Sequence, residues 1–598
     1  MEKEGRYLNT MRTILEIALV LLLGAFVTHS DAGLPPYTRI LPEGAPQLAW
    51  LNSVPNTLQG KVVSVQTQPF TEAIELHTLS KPQNTWEAQI VIPTVAPVHK
   101  GDALLGIFYA RSLSEHEART EFVFERAGDP YTKSAEFEVN CGAKWQKFYV
   151  PFQAAEDYAP GEAHVCFRLG YAPQTILIGG IELRDYGSKV SVDELPTTPI
   201  HYDGEEPDAA WRKEAEARIR RIRMAPITIE VLDSAGKPIS DAHVHVAMLR
   251  HAFPFGSAVN AVDLLGNTPD DEKYRQTILK LFNRATIENQ LKWQWWAFDR
   301  QTGPRAVQWL NEHHISVRGH NLVWPSWRYM PDSVTALQNN PSALAQAIDD
   351  HIRDELGALK GQCLEWDVVN EPVDNHEVYD ALGGLDAVVH WYQLAHEVDP
   401  TTRLFVNEYN ILEVGGTDIN HQNRYAEIIQ YLLDHHAPLQ GIGVQCHFNS
   451  SLTPPTLILQ ILDRFAKFGL PIEVTELDIN VPNPQSQAQY MRDFLIAAFS
   501  HPAVSGIVMW GFWAGAHWIP QAALFSRDWH LRPVGEAWEE MVFHRWWTDE
   551  QLQTNAQGLC TVRGFLGDYT VTVTANGKVQ TTQFTLDKPG ARVTIRLR

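Results

Sequence analysis

The sequence predicts an α/β fold in which a (β/α)8 barrel follows an all-β sandwich of the jelly-roll kind, with small β-hairpin elements flanking the barrel. Eight short apolar runs alternate with helix-like stretches in residues 251–547, a pattern typical of parallel strands closed into a barrel. Residues 40–190 hold closely spaced short strands between Gly, Pro and Asp clusters, which indicates a sandwich. Alternating apolar and polar residues on both sides of the barrel predict the hairpins.

The composition is that of a globular protein with several domains. The chain has 598 residues, of which 44% are hydrophobic and 20% charged. Its 49 basic and 71 acidic residues give a net charge of -22, which disfavours nucleic acid and anionic membranes as partners. A neutral ligand is compatible with this charge, and the 19 Trp and 18 Tyr residues offer flat faces on which sugar rings can stack.

The first 32 residues have the pattern of a removable signal peptide. Arg12 precedes an apolar run from Ile17 to Val27, which is too short to cross a bilayer. Small residues place the cleavage site near Ala32–Gly33. We therefore expect a secreted or periplasmic protein that has no membrane anchor after the signal is removed.

The five cysteines have no C-x-x-C spacing, so the sequence predicts neither a zinc ribbon nor a disulfide scaffold. A bridge between Cys141 and Cys166 is compatible with the sequence, which does not decide it. We expect no metal and no organic cofactor. We also expect a monomer.

The sandwich region resembles the jelly-roll carbohydrate-binding modules that accompany secreted polysaccharide hydrolases. The resemblance rests on its layout and on the closing "QTILIGGIELRDYG" after "VCFRLGY". Trp86, Tyr131, Trp145 and Tyr171 are alternatively sugar-stacking platforms or core residues, and for each of them the core is the favoured interpretation.

The segments between the sandwich, the barrel and the C-terminus are short and regular. Residues 200–224 predict a helical linker, because acidic residues come first and arginines last. Residues 225–250 predict a hairpin around a Ser-Ala-Gly turn. Residues 548–598 predict strands around Asn576-Gly577, a strong hairpin signal, and we expect them to pack with the 225–250 hairpin.

Polar or aromatic residues follow seven of the eight apolar runs of the barrel. Because the carboxyl ends of barrel strands meet at one end of the fold, these residues are expected to form one site. They are Glu288, Asn289 and Lys292 after the second run, His320 and Trp324 after the third, Asn370 and Glu371 after the fourth, Asn407 after the fifth, Gln445 and His447 after the sixth, Glu476 and Asp478 after the seventh, and Trp510 and Trp518 after the eighth.

Two of these carboxylates suit the hydrolysis of a glycosidic bond. That reaction needs one carboxyl group to protonate the leaving oxygen and another to attack the anomeric carbon or activate water. Glu371 and Glu476 are the predicted pair. Asn370 can bond a sugar 2-hydroxyl, and His447 can donate to Glu476 and keep it ionised. The charge of Glu476 would in turn raise the pKa of Glu371.

The region also resembles glycoside hydrolase family 10, the endo-β-1,4-xylanases. The segments that carry the resemblance occur in family order: "FPFGSAV", "ENQLKW", "RGHNLVW", "WDVVNEP", "NEYNILE", "GIGVQCHF", "VTELDI" and "WGFWAGAHWIP". The resemblance implies a retaining endo-xylanase that acts on xylan or a related plant cell-wall polysaccharide, with Glu371 as acid/base and Glu476 as nucleophile. It implies sugar contacts on the glycone side for Glu288, Asn289, Lys292, His320, Trp324, Asn370, Gln445, His447, Trp510 and Trp518. Asn407 is expected to support these residues without contacting sugar, and Asp478 either supports His447 in the same way or contacts sugar itself.

One motif departs from the family. Where many members read Trp-His-Ser-Gln, this chain reads Trp324-Pro325-Ser326-Trp327, which leaves open whether xylan or a glucan is preferred. Trp327 either stacks on sugar or packs in its loop. The alternatives are a β-1,4-glucanase or related β-glycanase with the same barrel, and a non-catalytic carbohydrate-binding protein.

Overall fold

A computed structural model of the protein describes residues 34–44, 46–114 and 118–598. The predicted signal peptide and its cleavage site lie outside these residues. The chain divides into two compact units, with the boundary between Thr198 and Pro199. Each unit is described by itself.

The first unit is a sandwich of two antiparallel sheets. In the described residues one sheet has the order β3-β4-β11-β6-β9 with β1 beside β11, and the other has the order β2-β5-β10-β7-β8. The strands are β1 (Thr38–Arg39), β2 (Leu51–Ser53), β3 (Leu58–Ser64), β4 (Glu72–Thr78), β5 (Ala88–Pro93), β6 (Ala103–Ser112), β7 (Ala118–Arg126), β8 (Lys133–Cys141), β9 (Gln146–Gln153), β10 (Ala163–Arg168) and β11 (Gln174–Asp185).

Phenylalanine rings fill the space between the two sheets. Phe108 of β6 lies 4.8 Å from Phe167 of β10 and 5.9 Å from Phe122 of β7, measured between ring centroids. All three side chains are fully buried. The sandwich therefore has a core of its own, as the alternating pattern of its strands predicts.

The second unit contains a closed barrel of parallel strands within its described residues. Strand β14 pairs with both β15 and β22, so the first and last barrel strands meet. The unit begins with β12 (Met224–Leu232) and β13 (His243–His251), and the barrel strands are β14 (Phe255–Val259), β15 (Arg284–Ile287), β16 (Ser316–Gly319), β17 (Glu365–Asn370), β18 (Arg403–Glu408), β19 (Gly441–Val444), β21 (Ile472–Ile479) and β22 (Val504–Met509), with the short β20 (His447–Phe448) beside β21. This confirms the predicted barrel.

Helices precede, connect and follow the barrel strands. They are α1 (Ala210–Ile222), α2 (Ala261–Leu265), α3 (Pro269–Leu281), α4 (Trp293–Phe298), α5 (Thr302–Glu312), α6 (Asp332–Thr335), α7 (Pro341–Ala358), α8 (Glu377–Asp380), α9 (Leu385–Val398), α10 (Ile419–Asp434), α11 (Pro455–Phe465), α12 (Pro484–Ser500) and α13 (Pro533–Glu539). Within the described ranges, none of the helices combines the length and the apolar character that a membrane span requires.

The segment predicted as a helical linker is part of the second unit. Its helix α1 packs on α12, and Arg212 forms an ion pair with Asp493 at 2.5 Å. Tyr202, just before α1, donates a hydrogen bond to the same carboxylate at 2.7 Å. The apolar face of α1 is buried, so this helix is a fixed element of the barrel unit.

The predicted hairpin of residues 225–250 forms only at its turn, where Leu232 and Pro238 pair in an antiparallel bridge. Its two strands, β12 and β13, belong to different sheets, of order β24-β12-β27 and β23-β13-β25-β26. Their partners come from the C-terminus: β23 (Asp549–Gln553), β24 (Leu559–Phe565), β25 (Gly567–Ala575), β26 (Lys578–Leu586) and β27 (Ala591–Arg596). Strands β25 and β26 do form the hairpin predicted at Asn576-Gly577.

A buried ion network occupies the amino-terminal half of the barrel interior. Arg284 contacts Glu365 at 2.6 Å and Glu473 at 2.9 Å, and Arg318 contacts Glu365 at 3.2 Å and also pairs with Asp367. These side chains are almost completely buried. The network links β15, β16, β17 and β21 across the barrel, and its charges neutralise one another.

Candidate active site

The predicted site residues lie together at the carboxyl ends of the barrel strands. Glu371 follows β17, Glu476 lies near the end of β21, and Gln445 follows β19. Parallel pairing brings these positions to the same end of the barrel. The side chains then form one hydrogen-bonded group.

Glu476 is a buried carboxylate held by two donors. The Asn407 amide donates to its Oε1 at 2.7 Å, and the His447 ring lies with Nε2 3.1 Å from its Oε2. Burial alone would raise the pKa of Glu476, but the hydrogen bond from His447 and the positive charges around the carboxylate outweigh burial and lower it. Glu476 is therefore ionised at neutral pH.

Glu371 has the opposite protonation tendency. Burial and the charge of Glu476 raise the pKa of Glu371, against the lowering effect of its hydrogen bonds. Gln445 donates to its Oε1 at 2.9 Å, and Trp324 Nε1 and Asn375 donate to its Oε2 at 3.0 and 3.1 Å. These three donors fix the carboxyl group in one orientation.

One amide connects the two carboxylate neighbourhoods. Asn407 donates to the Asn370 Oδ1 at 2.9 Å as well as to Glu476. Its own Oδ1 accepts the Thr475 hydroxyl at 2.7 Å, which assigns the orientation of the Asn407 amide. Asn370 is thereby left with its amide nitrogen as a donor beside Glu371.

The His447 ring lies between the carboxylates of Glu476 and Asp478. Its Nδ1 lies 3.0 Å from Asp478, and the two carboxylates raise the pKa of His447 although its burial opposes this. Asp478 also accepts the Trp518 Nε1 at 2.8 Å. Asp478 therefore contacts the ring and the indole that line the cleft, and it has no direct contact with Glu476 among the described hydrogen bonds.

A second group of side chains lies on the side of the cleft formed by β15 and β16. Lys292 donates to Asn289 at 3.1 Å, and its Nζ lies 5.5 Å from the Trp324 ring centroid and 5.7 Å from that of Trp510. Burial lowers the pKa of Lys292 and raises that of neighbouring Glu288. The aromatic faces and the polar groups thus converge, as a sugar site requires.

His320 connects this wall to the ion network inside the barrel. Its Nδ1 lies 2.9 Å from Asp367, and its ring meets the Trp510 ring edge-on at 5.1 Å. The sequence analysis did not identify Asp367, because a buried acidic residue within a strand gives no signal of its partner. Asp367 holds the imidazole in a fixed orientation.

Three further residues at the site were missed by the sequence analysis. Asn375 contacts Glu371, as described above. Glu413 accepts the backbone N–H groups of Cys446 and His447 at 2.8 and 3.1 Å, so it fixes the bend that directs His447 into the cleft. Tyr329 stacks on Trp324 with ring centroids 3.6 Å apart. The last glutamate of "NEYNILE" was available as a signal for Glu413, whereas Asn375 and Tyr329 had none.

The divergent motif after β16 adopts a packed conformation. Trp327 is half-buried and packs against the hydrophobic core, and the Pro325 carbonyl accepts the Val378 N–H at 3.1 Å. Of the two roles considered for Trp327, the structure favours packing in the loop. Tyr329 instead supplies an aromatic ring beside Trp324.

The described residues contain a group of potential metal ligands outside the barrel. Glu125, His164 and Cys166 of the sandwich lie close together. Glu125, however, already pairs with Arg168 at 3.1 Å and with Lys133 at 3.4 Å, so its negative charge is already balanced and attracts a metal cation less.

The Cys166 thiol is buried and forms no disulfide, so the bridge to Cys141 that the sequence allows is not formed.

A closed barrel of parallel strands that presents two glutamates with opposite pKa shifts at its carboxyl end has the fold and the carboxyl pair expected of a glycosyl hydrolase. Comparison with protein families agrees, because residues 245–540 match the model of glycosyl hydrolase family 10. The chain belongs to this family through its barrel.

Individual relatives cover the same part of the chain. Anti-sigma-I factor RsgI6 of Acetivibrio thermocellus is 32% identical over 374 residues, which are 62% of this chain and 47% of the relative. Endo-1,4-beta-xylanase 1 of Arabidopsis thaliana is 29% identical over 383 residues, 63% of this chain and 39% of the relative. The chain thus spans less than half the length of these two proteins. The crystal structure of xylanase 10B from Thermotoga petrophila RKU-1 with xylobiose is 27% identical, with a TM-score of 0.45 over 49% of this chain and 94% of that one.

Proposed function

We propose that the protein is a retaining endo-β-1,4-xylanase in which Glu476 is the nucleophile and Glu371 the acid/base. The observation that carries the proposal is the opposite pKa tendency of two glutamates in one cleft. An ionised carboxylate can attack an anomeric carbon, and a protonated carboxyl group can donate its proton to the leaving oxygen. The two groups are thus prepared for different halves of one reaction.

The proposed reaction has two displacements. In the first, a Glu476 oxygen bonds to the anomeric carbon while the glycosidic C–O bond breaks and the Glu371 proton moves to the leaving oxygen. In the second, Glu371, now ionised, takes a proton from water, and the water oxygen displaces Glu476. The Asn370 amide is placed to bond the sugar 2-hydroxyl, an interaction that strengthens as the ring acquires positive charge.

Support for xylan as the substrate comes from the family and from relatives that are named as xylanases. The packed Trp327 loop and the additional Tyr329 ring change the wall around Trp324, so a β-1,4-glucan is the alternative substrate. A non-catalytic role is disfavoured because both glutamates are present and oriented by donors.

A panel of polysaccharides tests the proposal. We expect reducing sugar to be released from xylan much faster than from β-1,4-glucan or mannan. Glu476→Gln and Glu371→Gln should each lower xylan turnover by about 10³-fold or more, because each removes one of the two reacting groups. Faster turnover of glucan would establish the alternative substrate. Ordinary xylan turnover in either variant would exclude the assigned roles.

The proposal extends to the setting of the enzyme. The predicted signal peptide would direct it to the periplasm or the exterior, where plant cell-wall polysaccharide is accessible. The sandwich would bind the same polysaccharide, with nucleic acid and membranes excluded as partners by the charge balance. We propose that the enzyme acts as a monomer.

A further inference from the structure

The short helix α4 has one face that is fixed to the barrel. The Trp293 ring stacks on His351 at 4.0 Å, nearly parallel to it, and Trp296 Nε1 donates to Asp354 at 2.8 Å. Both partners belong to α7, and both indoles are buried. Residues three apart share a helix face, so the face of α4 that carries Trp293 and Trp296 points at α7.

The opposite face of α4 is aromatic and exposed. Trp295 and Phe298 are also three residues apart and lie on the far side of the helix from the buried pair. Their exposed fractions are 46% and 87%. Neither ring belongs to the hydrophobic core, and two neighbouring exposed aromatic rings form a candidate binding surface.

The helix that carries this exposed face begins at the wall of the active-site cleft. Lys292, which contacts the Trp324 and Trp510 rings, is the residue immediately before α4, and its carbonyl accepts the Trp295 N–H at 2.8 Å. Gln294 donates from its amide to the carbonyls of Arg328 and Met330 at 2.9 and 3.1 Å. Helix α4 is thereby attached to the loop that also carries Tyr329.

We propose that Trp295 and Phe298 form a platform that binds a polysaccharide chain where it continues past Lys292, beyond the sugars held at the catalytic pair. This inference rests on the proposed function, since the occupant is the same neutral β-linked glycan. Two flat apolar rings with no charged side chain between them suit the apolar face of a pyranose ring. The acidic chain as a whole disfavours a polyanionic occupant.

A platform beyond the sugar contacts of Lys292 would contribute only to substrates long enough to reach it. We expect a disaccharide held around Lys292 to be too short to cover both rings, and a longer oligosaccharide to reach them. Removal of the two rings should therefore weaken the binding of long chains selectively. A role in folding alone would affect both lengths equally.

The test compares the double variant W295A/F298A with a matched control in the full chain. The control is Trp309→Ala, which removes a half-buried indole stacked on His313 of the barrel surface. Trp309 lies near the end of α5, which leads to the amino-terminal end of β16, away from the cleft. Glu476→Gln is included in every protein so that the oligosaccharide is not hydrolysed.

Calorimetric titration with xylohexaose and xylobiose gives the readout. We expect the double variant to bind xylohexaose about tenfold more weakly than the parent does. The ratio of its xylohexaose affinity to its xylobiose affinity should fall by the same factor. The control should match the parent for both sugars. Equal xylohexaose affinity in double variant and parent would overturn the platform, as would a parent that binds neither sugar. A parent that binds xylohexaose but, with Glu476 restored, hydrolyses no xylan would refute the proposed function and leave the platform standing.

Discussion

Glu371 and Glu476 share one cleft, yet their pKa values move in opposite directions because their neighbours differ. Glu476 has a positively charged imidazole at 3.1 Å and an amide donor, whereas Glu371 has three neutral donors and faces the charge of Glu476. Burial raises both pKa values, and only at Glu476 does the surrounding positive charge prevail. The identity of the donor therefore separates the two roles.

Removal of the Glu476 charge should lower the pKa of Glu371. In Glu476→Gln the carboxylate that raises the pKa of Glu371 is gone, so the pKa of Glu371 should fall by about one pH unit. The measurement is a titration by NMR of labelled glutamate. Glu312→Gln, an acid-to-amide change on the α5 surface, is the control that should leave it unchanged, and an unchanged pKa in Glu476→Gln would contradict the coupling.

The residues that perform the proposed chemistry could be predicted from sequence, but the residues that orient them could not. Glu371 and Glu476 stand at the ends of apolar runs, a signal that the chain itself contains. Asn375 and Tyr329 lie in loops, where no periodicity fixes the direction of a side chain. Their contacts with Glu371 and Trp324 follow from loop conformations that only the folded chain defines.

At the scale of elements, a buried ion network joins the barrel strands beneath the site. Glu365 of β17 contacts Arg284, Arg318 and Arg403 at 2.6, 3.2 and 2.5 Å. The strong positive surroundings outweigh burial and lower its pKa to about 2. The carboxylate therefore stays ionised in the folded state across the pH range of ordinary assays.

Neutralisation of this carboxylate should destabilise the barrel. Glu365→Gln would remove one of the buried negative charges that balance Arg284 and Arg318, and we expect the free energy of unfolding to fall by about 3–5 kcal/mol. The change would be measured by calorimetric unfolding. Glu539→Gln provides the comparison, since its pair with Lys280 is largely exposed on the lysine side and should contribute about 0.5 kcal/mol or less.

An equal loss of stability in Glu365→Gln and Glu539→Gln would contradict the importance of burial.

Burial also explains which elements could be predicted from the sequence. The barrel strands are continuous apolar runs because both of their faces are covered, and that pattern is local. Strands β12 and β13 alternate like a hairpin, but their partners β24 and β25 lie some three hundred residues later, and alternation does not identify a distant partner.

At the scale of the whole molecule, the chain combines two units with separate cores. The sandwich carries exposed Trp86, whose ring centroid lies 5.8 Å from the Arg168 guanidinium, and Tyr171 beneath Arg119 at 4.3 Å. Of the four aromatic residues considered as platforms, Trp145 packs edge-on against Phe70. A sugar-binding role for the sandwich is a prediction that rests on the exposed rings of Trp86 and Tyr131, since Arg119 covers the ring of Tyr171.

Deletion of residues 34–198 should separate binding from turnover. A second attachment point raises the effective concentration of the enzyme on a solid substrate, so the deleted protein should bind insoluble xylan about tenfold more weakly. Its turnover of soluble xylo-oligosaccharide should not change. Sedimentation with insoluble xylan measures the first quantity and a reducing-sugar assay the second.

The full chain with Trp86→Ala identifies the surface responsible. A loss of retention on insoluble xylan close to that of the deletion would assign the binding face to Trp86. Equal retention of the deleted and the complete protein would show that the sandwich does not bind this polysaccharide.

Three residues at the barrel mouth have a left-handed backbone conformation. Glu371, Asn410 and Cys446, which follow three neighbouring strands, have φ values of 54°, 54° and 73°, a region that glycine occupies freely and that costs a residue with a β-carbon about 1 kcal/mol or more. A chain optimised for stability alone would favour glycine at these positions. At Glu371 this backbone cost accompanies a carboxyl group that the site holds in one orientation, so the local stability of the backbone and the direction of this side chain are in opposition.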